Sequence, residues 1–125
     1  MKQVLTRTAE LTFFEKEGYV LYRILEDAEI EAEDAKENFY VSLKMTNNKI
    51  FPVLLDGRKI KSISHEARNF YASEEVKKYQ TAVAVIADSL PTRLIANFFL
   101  RFHQPEFRIK IFADETKAKK WLGLK

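Results

Sequence analysis

Three apolar runs, each closed by an aspartate and each feeding a helical pattern, constrain this chain more than any other feature. Phe51-Pro52-Val53-Leu54-Leu55 ends at Asp56-Gly57, and Ala82-Val83-Ala84-Val85-Ile86-Ala87 ends at Asp88-Ser89. The third run, Phe107 to Ala113, alternates and ends at Asp114. The first two runs are apolar on successive residues. Such a strand must be hidden on both faces, which is the condition of a parallel strand under helices. Strands near Lys49–Leu55 and Thr81–Ala87 are therefore expected side by side, parallel, at the centre of one sheet.

The remaining elements are read around these runs. Leu11–Lys16 and Tyr19–Leu25, joined by Glu17-Gly18, read as an antiparallel hairpin with a two-residue turn in which Gly18 supplies positive φ. Both faces of the second strand carry apolar residues, so both are expected to be covered. Residues 1–8 are left either as an extension of the first strand or as a loose N-terminal extension. A helix is expected over Glu33–Met45, with Ala32, Ala35, Phe39, Tyr40 and Leu43 on its inner face. Ser64 and Ser73 stand where N-caps belong, the first before a stripe of Ile63, Ala67, Phe70 and Tyr71. Pro91 sits in the first turn of the longest helix, whose apolar face is Leu94, Ile95, Phe98, Phe99 and Phe102, and Pro105 stops it. Asp114 caps a last helix closed by Gly123, with Ala118, Trp121 and Leu122 inward and Trp121 largely buried. The expected fold is α/β: a single mixed β-sheet with a parallel core and packed helices, in the order β-β-α-β-α-β-α-β-α.

At 125 residues the chain is one domain, 1–125, long enough to bury a core without crosslinks. It has no cysteine, which removes disulfides, thiolate metal sites and thiol nucleophiles. Met1-Lys2-Gln3-Val4-Leu5-Thr6 is too polar for a signal peptide, and no apolar run approaches the ~20 residues of a membrane span. A cytoplasmic protein with no membrane span is expected. The net charge of +3 is a mild bias that does not mark a nucleic-acid binder. Its distribution is uneven. Seven acids (Glu26, Asp27, Glu29, Glu31, Glu33, Asp34, Glu37) face one base, Lys36, between Glu26 and Glu37. Basic residues collect at Arg58, Lys59 and Lys61, at Lys77 and Lys78, and at Lys117, Lys119 and Lys120. These patches read as solvated helix faces, with complementary pairing in a homodimer as the sharper reading.

The chemistry-bearing residues exclude more than they assign. The two histidines, His65 and His103, have no metal-ligand spacing, so neither a metal nor another cofactor is expected. Gly57 stands alone before Arg58-Lys59, where a phosphate cradle needs several glycines. No serine lies in a GxSxG elbow. The acids of Glu26–Glu37 crowd one polar segment instead of converging on a cleft, so they read as solvated. What remains is the segment leaving the central strand, since ligands and partners of open α/β sheets meet the carboxyl ends of strands. It offers Asp56, Arg58, Lys59, Lys61, Ser62, Ser64 and His65 as a contact face.

A strand ending Leu54-Leu55-Asp56, then Ile60, then Ser62-Ile63-Ser64 opening a helix, resembles the STAS domain of anti-sigma-factor antagonists and sulfate transporters. The ending from Ile111 to Leu122, with Asp114-Glu115 before Ala118 and Trp121-Leu122, is similar to SpoIIAA-like relatives. The resemblance runs from Gly18 to the end of the chain. It implies a non-enzymatic partner-switching module whose bacterial members are phosphorylated on a serine or threonine by a partner kinase. Ser64 lies at the matching place, with Ser62 beside it. The family's aspartate-serine-serine/threonine-glycine is replaced here by Lys61-Ser62-Ile63-Ser64-His65. The group also looks related to lipid-binding CRAL-TRIO folds. Two expectations follow: a protein-interaction module that meets a regulator or kinase through Asp56–His65, or a small-molecule or lipid carrier with a cavity under the Leu94–Phe102 helix. A pocket of several hundred Å³ would favour the carrier and a filled core the module.

Overall fold

The computed structural model describes residues 1–101 and 107–124, apart from the side chains of Pro91 and Phe99. Expectations placed on Phe102, His103 and Pro105, and on the side chains of Pro91 and Phe99, fall outside the described residues. Six strands form the main sheet: β1 (Lys2–Leu5), β2 (Ala9–Phe14), β3 (Tyr19–Ile24), β5 (Val53–Asp56), β7 (Ala82–Ile86) and β8 (Arg108–Phe112). They lie in the order β1-β2-β3-β5-β7-β8. The first three are antiparallel neighbours and the last four are parallel neighbours, so the sheet is mixed with a parallel core. β5 and β7 are adjacent at its centre, in the register Val53↔Val83 to Asp56↔Ile86. Their two-sided hydrophobicity requires this position: Val53 and Leu54 on β5 and all five residues of β7 are buried.

Every parallel crossover steps in one direction along the sheet. Crossovers of one hand then put their helices on one face. That face holds α1 (Ala32–Met45), α2 (His65–Tyr71), α3 (Glu74–Tyr79) and α4 (Leu90–Leu100). Among the described residues only α5 (Glu115–Trp121), which follows the last strand, is a helix on the other face, where Tyr19, Leu21, Leu54, Ala84 and Ile86 gather around Ala118. A second, two-stranded parallel ladder pairs β4 (Glu29–Ile30) with β6 (Ser62–Ile63) and ties the segment after β3 to the segment after β5.

Several local expectations change in the structure. The hairpin turn spans four residues, Glu15–Gly18, because Phe14 pairs with Tyr19 and their rings stack at 4.8 Å. Gly18 does take positive φ, and its N–H donates to the Phe14 carbonyl. Lys2–Leu5 is an exposed edge strand in register with β2. Trp121 is half-buried, not largely buried, because it lies over the edge strand β8 against Phe112 (5.8 Å) with Arg108 across its ring. Leu94 points to solvent, and α4 instead turns Thr92 and Ala96 fully inward.

The inner face of α1 is also rotated from its apolar reading. Tyr40 is 46% exposed and Leu43 half-buried, while Asp34, Asn38 and Ser42 join Ala35, Phe39 and Met45 inside. A polar stripe is tolerated there because each group is bonded. Thr6 Oγ1 donates to Asn38 Oδ1 (2.5 Å), Asn38 Nδ2 donates to Thr8 Oγ1 (3.0 Å), and Tyr22 OH donates to Ser42 Oγ (2.7 Å). Arg7 grips the Asp34 carboxylate through Nε at 2.7 Å and through a second guanidinium nitrogen, closing the N-terminal segment onto the helix. Asp34 also completes a capping box with Glu31. Part of the acidic segment is thus structural, not solvated.

Candidate functional site

The segment from Asp56 to His65 splits between the two faces of the sheet. Asp56 continues the alternation of Leu54 and so turns toward α5. Its carboxylate is buried and accepts from Arg58 at the backbone N–H (3.2 Å), Nε (2.9 Å) and a terminal nitrogen (2.8 Å), with Arg23 at 3.9 Å. Burial pushes the Asp56 carboxyl up, but the bonds from Arg58 and the charge of Arg23 outweigh it and hold the group below the usual carboxylate range. Arg23 reaches on to Glu115 (3.8 Å) at the start of α5. Asp56 and Arg58 are therefore a closed ion pair that locks β5, β3 and α5 together.

The second half of the segment crosses to the other face. Lys59 and Lys61 are exposed, and Lys61 lies 4.0 Å from Glu29. Ser62 stands opposite Glu29 in the β4–β6 ladder. Ser64 caps α2: its Oγ accepts from the Ala67 N–H at 3.1 Å, and its own N–H donates to the Ile30 carbonyl. His65 is exposed and its Nε2 lies 3.1 Å from the Asn69 amide nitrogen. The structure thus joins Asp56 with Arg58, groups Lys59, Lys61, Ser62, Ser64 and His65 on the α2 side, and does not bring the seven together. Among the described residues no cluster of three His, Cys, Asp or Glu could hold a metal.

Where the carrier reading expects a cavity, under α4, there is a chamber of about 90 Å³ between the sheet and the helices, smaller than the several hundred Å³ that would favour that reading. Its floor is β5, β7 and β8, with Val53, Leu55, Val83, Val85 and Ile109. Its roof is built by Tyr71 of α2, Val76 of α3, and Thr92, Ile95 and Ala96 of α4. Ile60 and Ile63, from the loop just described, also line it. The walls are mostly apolar; Tyr22, Gln80, Tyr71 and Thr92 are the polar lining residues among those described. Gln80 Nε2 donates to Tyr22 OH at 2.8 Å. Burial raises the Tyr22 phenol to about 12, and burial together with the nearby Tyr22 raises Tyr71 as well. Both rings are neutral hydrogen-bonding groups at physiological pH, unfit as acid–base catalysts there. The chamber can hold an apolar group, and among the described residues no carboxylate lines it.

Only a few of the lining residues carry a sequence signal. Val83, Val85 and Ile109 read as core strand residues, as they are. Nothing in the spacing of Thr92, Ile95 and Ala96 tells a helix packed down on a sheet from one held off it.

The chain is also recognisable. Residues 13–124 match the model of a protein family described as a domain of unknown function, DUF7793, and the chain belongs to that family. No curated protein matches the sequence. Among solved structures, an uncharacterised protein of the DUF3478 family with a SpoIIAA-like fold, from Shewanella loihica PV-4, superimposes with a TM-score of 0.66. It shares 17% identity, and the match covers 91% of each chain. The fold is SpoIIAA-like, as the strand endings and the terminal helix implied.

Proposed function

We propose that this member of the DUF7793 family is a non-enzymatic SpoIIAA-like binding module that takes a small apolar group into the chamber under α4. The carrying observation is the void itself. Protein interiors are close-packed, and voids larger than a water are few. The volume is below the ~300–1,000 Å³ of drug-sized sites and nearer the 150 Å³ that suffices for a benzene ring. The fitting occupant is a ring or a short chain, smaller than a membrane lipid.

The test contrasts two buried alanines. Ala96 faces the chamber and Ala67, on α2, does not line it. Ala96→Leu should fill the void, leave the melting temperature equal or higher, and abolish hexanol binding followed by NMR titration. Ala67→Leu should overpack and lose ~1–3 kcal/mol. If Ala96→Leu destabilises as much as Ala67→Leu, there is no usable space and the reading falls.

A second reading has its own support. Ile60 and Ile63 line the chamber while their neighbours Lys59, Lys61, Ser62 and His65 are exposed. A protein partner that meets this loop would sense what the chamber holds. Ser64 is the candidate phospho-acceptor, with a phosphate favoured electrostatically at the α2 N-terminus. Pull-downs with Ser64→Ala and Ser64→Asp test this. If both variants keep every native partner, Ser64 is a cap alone and the switch reading fails.

A further inference from the structure

From Ser89 to Pro105 the sequence carries two arginines and no acid. Most of this stretch is α4, where Leu, Ile, Ala and Phe supply seven of the eleven residues. A helix apolar on nearly every side is ordinarily covered on every side. α4 is covered on one. Thr92, Ile95, Ala96 and Phe98 are buried or half-buried, and the first three roof the chamber. At about 100° per residue, the opposite face holds Leu90, Arg93, Leu94, Asn97 and Leu100, with Arg101 just past the helix end, and all six are exposed. Leu90 and Leu94 are 70% and 61% exposed. No carboxylate among the described residues pairs with Arg93 or Arg101. The nearest acids in sequence are Glu106 and Asp88, and the charge of Asp88 acts on Arg58.

Leucines in water beside arginines without carboxylate partners fit a surface that is anionic at its face and apolar beneath. A second copy docked by the same face would set arginine against arginine, because a twofold interface meets itself. A face one helix wide and about 16 Å long also falls far short of the ~800 Å² that each side gives to a stable protein interface. A bilayer surface meets neither obstacle. Leucines enter its acyl boundary while guanidinium groups stay with the phosphates.

We propose that α4 lies in the surface of an anionic lipid bilayer, with Leu90, Leu94 and Leu100 inserted and Arg93 and Arg101 among the headgroups. The contact is peripheral, and it stands apart from what the chamber holds.

Co-sedimentation with phosphatidylcholine vesicles, with and without phosphatidylserine, tests this. The anionic vesicles should bind the protein more tightly, and binding should weaken as salt rises. The Leu90→Ser, Leu94→Ser double variant changes only outward side chains and should lower partitioning about tenfold or more. Arg93→Gln and Arg101→Gln should each lower it about fivefold. Leu5→Ser is the control: Leu5 is 69% exposed on β1, at the opposite edge of the sheet from β8, and its loss should leave partitioning unchanged. Binding to neither vesicle, equal binding to both, or a double variant that binds no more weakly than Leu5→Ser overturns the proposal. A wild-type dimer in light scattering that the double variant dissociates overturns it too, because the face then belongs to a second copy.

Discussion

At the scale of single residues, the charges that look most available for chemistry are engaged in holding the fold. Asp34 is kept ionised by the bond from Arg7, and Asp56 by Arg58 and Arg23 against the opposing effect of its burial. Both carboxyls titrate lower in the folded chain than in the unfolded one, where an aspartate sits near ~3.9. Their contribution to stability is therefore present above about pH 4 and is lost as pH falls through the folded values. Urea melts across the acid range should show this decline, and Asp34→Asn or Asp56→Asn should flatten it. An unchanged acid limb in both variants would mean that neither pair holds the fold. Ser64 is a milder case. Its Oγ accepts one bond from Ala67, so Ser64→Ala should cost ~0.5–2 kcal/mol, whereas Ser64→Asp retains an acceptor and should cost less. The reverse order in a denaturant melt would remove Ser64 as the cap of α2.

At the scale of elements, α5 and α1 illustrate two ways of docking a helix. α5 is the one helix on its face of the sheet among the described residues, with Ala118 fully buried and Trp121 half-buried against Phe112. Full burial would make Trp121→Ala cost ~3–5 kcal/mol; half-burial lowers the expected loss to about 2 kcal/mol. A loss below ~1 kcal/mol would show that Ala118 and the Asp114 cap suffice. α1 docks through a polar ladder in which Asn38 meets Thr6, Thr8 and Tyr71. Removing that amide strands several buried groups at once, so Asn38→Ala should cost at least ~2 kcal/mol and more than Tyr40→Ala on the outer face. Comparable losses for the two variants would show that the ladder adds nothing beyond contact area.

At the scale of the molecule, charge distribution bears on association. Part of the acidic segment is paired internally, Asp34 with Arg7 and Glu29 with Lys61, which leaves Glu26, Asp27, Glu31, Glu33 and Glu37 exposed. Pairing of these acids with the exposed lysines of a second copy, proposed here as a route to a homodimer, should weaken as salt shortens the Debye length toward ~3 Å at 1 M. Light scattering that shows a monomer at low ionic strength and high protein concentration would end that reading. Among the described residues no helix is long and apolar enough to cross a membrane.

The sequence by itself determined the parallel core, since runs such as Ala82–Ala87 have no face that tolerates water. It determined the caps at Ser64, Ser73 and Asp114, because capping is local chemistry between residues three apart. It also carried the likeness to SpoIIAA-like domains. The tertiary structure decided which way each half of the Asp56–His65 segment turns, since that depends on Arg58 finding Asp56 and on β6 finding β4. It decided that Asp34, Asn38 and Ser42 face inward, because their partners Arg7, Thr6, Thr8 and Tyr22 lie 20 or more residues away. The chamber belongs to the same class. A void is a property of how surfaces meet, and no residue type or spacing along the chain encodes one.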